Sequence, residues 1–146
     1  MSAEQEIRAA ITAWSKALEA KDPDALAALV SDEIELFDVK PPIRLKGRDA
    51  YRKVWADCLP YFPDRFRSEH RDLAIHADGD CAFVSGFHHI VPISTETRPG
   101  DSWMRITVCY RKIGGHWKSV HEHVSIPTDF MTNQPVMITD PAQHDA

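Results

Sequence analysis

Ile7, Ile11, Trp14 and Leu18 recur at helical spacing, with Glu4, Arg8, Ser15, Lys16 and Glu19 on the other sides. This pattern predicts an amphipathic opening helix whose apolar stripe faces a core. It stops near Lys21. Asp22-Pro23 then reads as an N-cap followed by proline at the first helical position, where a missing N–H loses nothing, and a short second helix runs through Leu26, Leu29 and Val30. From Glu33 the period falls to two. Ile34, Leu36 and Asp38 share one face and Glu35, Phe37 and Val39 the other, until Pro41-Pro42 interrupts the ladder. Ile43 and Leu45 predict a short returning strand. After Gly47, Tyr51, Trp55 and Leu59 form a stripe beside Val54 and Cys58, which predicts a third helix ending before Pro60 and Pro63.

The remainder reads as strands. Leu73 and Ile75 alternate with polar neighbours up to the turn Asp78-Gly79-Asp80, and an apolar run from Cys81 to Ile93 follows. Trp103 to Ile113 then meets His116 to Ile126 across Gly114-Gly115, two glycines that supply the positive φ angles of a tight hairpin. Helices first and a meander after predict an α+β fold, a cone of three N-terminal helices packed on a strongly curved antiparallel sheet. The stretch STETRPGDS, residues 94–102, reads as an exposed loop. Pro127, Pro135 and Pro141 and the loss of period divide the chain into a domain at 1–127 and an irregular C-terminal tail at 128–146.

The hairpin sets a register. With a two-residue turn at Gly114-Gly115, Val108 faces His121 and Ile106 faces His123. Met104, Ile106, Val108 and Tyr110 are the apolar set of their strand, so they and both histidines are expected to look toward the helices. Glu122 is then expected on the opposite face, diagonal to Arg105, with Trp103 beside them as a subunit contact. Helices laid across a curved sheet leave the open end of the cone unfilled, and ligand sites favour such apolar hollows with few polar groups. The expected lining is Trp14, Tyr51, Trp55, His88, His121 and His123. A second reading treats the histidines as core residues that hydrogen-bond the loop around Asp38 and close the cone. Asp38 itself is either a general base working with His121 or His123 or the cap of the Pro41-Pro42 turn.

Composition narrows the partners. The chain has 146 residues, 43% of them hydrophobic, and a net charge of −5, so a single globular domain is expected. Its Lys and Arg are scattered, which argues against a nucleic-acid footprint. The charged start MSAEQEIRAA is no secretory signal and no run of about 18 apolar residues occurs, so a cytoplasmic location away from membranes is expected. Cys58, Cys81 and Cys109 are widely spaced and read as free thiols. GxGxxG, P-loop, GxSxG and HExxH patterns are missing, and His121 with His123 would need His88 and Asp38 to complete a zinc site, so no cofactor and no metal is expected.

Two stretches carry a family resemblance: FDVKPPIRLKGRDAYRKVW after two short helices, and SWMRITVCYRKIGGHWKSVHEHVSIP at the end. From about Glu4 to Pro127 the chain resembles the SnoaL-like, ketosteroid-isomerase-homologue branch of the nuclear-transport-factor-two-like superfamily. The resemblance implies a helix-lined cone that dimerises through its sheet. Such domains serve as isomerases, cyclases, dehydratases, small-molecule binders and assembly modules. The closing strand is also similar to the association domain of calcium/calmodulin-dependent kinase, whose pocket positions fall here on Tyr51, His88 and Val108. Characterised ketosteroid isomerases use an aspartate base with a tyrosine and a protonated aspartate. Asp38 and Tyr51 offer two of those groups at a different spacing. The resemblance therefore implies a ketosteroid-isomerase-like or polyketide-cyclase-like protein that binds a small, mostly apolar molecule and transfers a proton on it. The alternative is a non-catalytic, dimerising ligand-binding or assembly module.

Overall fold

The computed structural model describes residues 1–93 and 101–146; most of the loop expected at 94–102 lies outside the described residues. Helix α1 spans Ala3–Glu19 and opens with a reciprocal cap between Ser2 and Gln5. Its Ile7 and Leu18 are fully buried. Helix α2, Pro23–Ala28, is capped by Asp22, whose Oδ1 accepts from the Ala25 N–H at 3.0 Å. Val30, expected at the end of that helix, instead begins strand β1, Val30–Phe37. A two-residue strand β2, Leu45–Lys46, and helix α3, Arg48–Cys58, follow. The long strands are β3, Phe66–Asp78, β4, Cys81–Pro92, β5, Met104–Ile113, and β6, His116–Ser125.

Six strands form one sheet in the order β2-β1-β6-β5-β4-β3. All neighbours are antiparallel except β1 and β6, which run parallel. The helices cover the inner face. Trp14, Val54 and Trp55 pack against a buried set that includes Leu18, Ile34, Leu36 and Tyr51, while Ile7 joins Val84, Tyr110 and Trp117. Burying such side chains contributes roughly 1.5–3 kcal/mol each.

Among the register shifts in the sheet, those in β3 and β6 decide which residues face inward. In β3 the register shifts between Arg71 and Ala74, where Asp72 adopts φ 56° opposite Gly86. A Cβ on Gly86 would stand 2.8 Å from Leu73 Cδ2 and 3.0 Å from the Arg71 carbonyl oxygen, so only glycine fits there without a shift. The second irregularity corrects the expected register of the closing hairpin. Gly114 and Gly115 make the turn, with φ 57° and 81°, and the pairing begins as expected from Ile113 with His116 to Tyr110 with Ser119. At Val120 the strand bulges. Beyond it Cys109 faces His121, Val108 faces Glu122 and Thr107 faces His123. One extra residue exchanges the two faces of everything that follows. Glu122 therefore points inward, and His121 and His123 share the outer face with Cys109 and Thr107.

The tail folds back. Strands β7, Thr128–Asp129, and β8, Gln134–Pro135, form a small hairpin, after which Ile138 exchanges hydrogen bonds with Trp103 and Ser102. Trp103 is buried there, beside the His89 ring and under the Arg71 guanidinium at 4.6 Å, and so is not the open subunit contact expected of it. Arg105 remains exposed, donating to Ser125 Oγ at 3.0 Å and not paired with Glu122. No helix among the described residues is long and apolar enough to cross a membrane.

Candidate functional site

Between the helices and the inner face lies a cavity of about 260 Å³. Trp14, Trp55, Phe62, Ile106 and Val108 supply much of its apolar wall, and Asp38, Tyr51, His70, His88 and Glu122 supply polar groups. Of the residues expected in the lining, Trp14, Tyr51, Trp55 and His88 are there, together with Ile106 and Val108, which were expected to look toward the helices. Asp38 stands at the rim, its Oδ1 accepting from the Val39 N–H at 2.7 Å and its Oδ2 3.7 Å from Lys40 Nζ. His121 is outside the cavity. Its ring packs against Phe37, and Glu35 Oε1 lies 3.1 Å from its Nδ1 without hydrogen-bond alignment. His123 is an exposed residue that reaches only the rim.

The group that the bulge brings in instead is Glu122. Tyr51, 1% exposed on α3, donates its O–H to Glu122 Oε1 at 3.3 Å and accepts from Trp14 Nε1 at 3.1 Å. Glu122 Oε2 has no partner among the described residues, and neither has the indole N–H of Trp55. Burial pushes the Glu122 carboxyl up to about 7, with the Tyr51 hydrogen bond opposing and the nearby charge of Asp38 adding. Burial, then the charge of Glu122, drives the Tyr51 hydroxyl well above its ordinary value, so it stays a donor. A carboxyl poised near neutrality in an apolar hollow can either take or give a proton.

A second polar group lies deeper along β4. His88 Nε2 is 2.7 Å from Ser68 Oγ, which is 2.9 Å from Ser15 Oγ on α1. The His70 ring lies 4.7 Å from that of His88. Burial depresses both, His88 to about 3 with help from the neighbouring histidines and His70 to about 4, so both are neutral at neutral pH. Glu122, His70 and Ser68 were not among the expected site residues. Their signal is a change of parity: Phe66 and Leu73, and likewise Trp117 and Val124, are inward apolar residues of one strand that strict alternation would set on opposite faces. No cluster of three or more potential metal-ligating side chains occurs among the described residues.

A helix-covered, strongly curved sheet around one hollow defines the NTF2-like class of α+β cone. The chain belongs to the SnoaL-like family, whose domain matches residues 7–129. It is similar to the crystal structure of an NTF2-like protein of unknown function from Pseudomonas putida, with 32% identity and a TM-score of 0.85 over 97% of this chain and 99% of that one. A putative scytalone dehydratase from Novosphingobium aromaticivorans shares the fold at 22% identity and TM-score 0.72, covering 94% and 93% of the two chains. So does a putative calcium/calmodulin-dependent protein kinase II association domain from Xanthomonas campestris, at 19% identity and TM-score 0.72 over 86% and 88%. No curated protein sequence matches the chain significantly.

Proposed function

We propose that the cone binds a small, mostly apolar ring molecule and that Glu122, held by Tyr51, moves a proton on it, an isomerase- or cyclase-like activity carried by the chain's own side chains. The observation that carries this reading is the unpartnered Oε2 of a buried carboxyl poised near neutrality beside the cavity. The carboxylate form would take a proton from a carbon next to a carbonyl and return it elsewhere on the ligand, while the Trp55 N–H supplies a spare donor for the developing enolate oxygen. The volume favours one or two rings over a four-ring steroid, since pockets for drug-sized ligands begin at about 300 Å³. Asp38 at the rim raises the Glu122 carboxyl through its charge and is a supporting residue in this scheme. Deuterium exchange at the α-carbon of 1-indanone, followed by NMR, tests the reading. The protein should accelerate exchange, and Glu122→Gln should slow it by about 10² or more. Exchange no faster than buffer, or unchanged in the variant, refutes it.

The alternative, a non-catalytic module that dimerises through its sheet, is favoured by the outer face. There Phe83 is 46% exposed, and no helix among the described residues covers it. The dimer is compatible with both readings, because that face and the cavity lie on opposite sides of one sheet.

A further inference from the structure

The proton-transfer scheme uses one polar pole of the cavity and leaves another idle. The idle pole is His88, anchored through Nε2 to Ser68 and through Ser68 to Ser15. Trp14 stands between the poles, donating its N–H to Tyr51 and meeting the His88 ring edge-on with centroids 5.2 Å apart. Across the sheet, β5 separates β4, which carries His88, from β6, which carries Glu122. Two strand spacings, about 9–10 Å, therefore separate them across the sheet. Along the strands His88 lies beyond Val84, which shares a row with Val108 and Glu122, so the offset is diagonal.

The chemistry of the idle pole is specific. Ser68 and Ser15 can each donate or accept, so the chain can run in either direction. If Ser68 donates to Nε2, Nδ1 carries the proton and is a donor; if Nε2–H donates to Ser68, Nδ1 is an acceptor. His88 can thus serve a hydroxyl or a carbonyl, but its low pKa keeps it from supplying a positive charge. Among the described lining residues the cation is Lys40, which sits at the rim against Asp38. An anionic ligand drawn inside would meet the Glu122 carboxyl with no counter-charge, which is costly in an apolar hollow.

We propose that the cavity selects an uncharged one- or two-ring molecule with an oxygen on each of two opposite sides, one met at the Glu122–Tyr51 pole and the other, a hydroxyl or carbonyl, met by Nδ1 of His88. Ser68 and Ser15 are positioning residues that hold the ring. The assignment rests on the ligand-binding reading above and adds to it the class of ligand.

Calorimetric titration with four probes tests it: indane, 1-indanone, 5-hydroxy-1-indanone and the 5-carboxylate of 1-indanone. The hydroxyl should tighten binding about three- to tenfold over 1-indanone, the yield of one neutral buried hydrogen bond. In His88→Phe, which keeps a ring of similar shape, that gain should vanish, so that 1-indanone and 5-hydroxy-1-indanone bind alike. Ser68→Ala should lose part of the gain in the same selective way, which a merely structural role would not produce. A hydroxyl that adds nothing in the wild type, an equal loss for both ketones in His88→Phe, or a carboxylate that binds as tightly as the hydroxyl overturns the inference. Failure of 1-indanone itself to bind the wild type refutes instead the ligand-binding reading beneath it.

Discussion

At the scale of single residues, Glu122 and the two buried histidines pull stability in opposite directions as pH changes. The folded state holds the Glu122 proton to about 7, whereas an exposed glutamate releases it near 4.5. Between those two values the folded protein binds more protons than the unfolded chain, so the contribution of this group to stability falls as pH rises and its cost is fully present above 7. At about 1.4 kcal/mol per pKa unit the cost approaches roughly 3 kcal/mol as an upper figure. His70 and His88 act in the reverse sense. Their folded values lie below the ordinary 6.5, so they withdraw stability as pH falls from there toward about 4 and 3. Glu122→Gln keeps a partner for Tyr51 and removes the titration. Its melting temperature relative to wild type should therefore rise between pH 5 and 8, while the acid limb, set by the histidines, stays in place. A difference between the two proteins that is flat across that range would show that Glu122 is not held protonated.

At the scale of elements, the bulges explain both what the chain's pattern reveals and what it hides. Helices α1 and α3, the Pro23 start of α2 and the Gly114-Gly115 turn follow from spacing and caps, and the cavity wall of Trp14, Tyr51, Trp55 and His88 follows with them. The Val120 bulge does not follow, because no glycine or proline marks it; it is set by how β6 meets β5 on one side and β1 on the other. Strict alternation through Ser-Val-His-Glu-His consequently assigns the histidines to the cavity and the carboxyl to the outside, whereas the fold brings Glu122 in, leaves His121 outside and sets His123 at the rim. The β3 bulge is better marked, since Gly86 stands opposite it. Gly86→Ala should destabilise by about 1–3 kcal/mol in denaturant titration, as overpacking against Leu73 and two backbone carbonyls requires. A loss below about 0.5 kcal/mol would mean that the two strands separate freely there and that the bulge does not fix the curvature.

At the scale of the molecule, the two faces of the sheet differ. The cavity side is covered by helices, whereas the outer side presents a cross-strand row of His76, Phe83, Cys109, His121 and Glu35, with Phe37, Thr107 and His123 in the next row. Phe83 stacks on His76 with ring centroids 4.7 Å apart and still keeps nearly half its surface in solvent. Aromatic side chains on an uncovered sheet, bordered by Arg105 and Arg111, fit a contact with a second copy, because such a patch is enriched in the residue types that interfaces use and the same surface on both subunits can meet itself. Light scattering on the purified protein at micromolar concentration should give the mass of a dimer. Phe83→Glu would place a like charge opposite itself across the two-fold and should yield monomer. Because Phe83 points away from the cavity, that variant should bind 1-indanone as the wild type does. A monomeric wild type would remove the dimer, and joint loss of assembly and ligand binding in Phe83→Glu would show that the two faces are not independent.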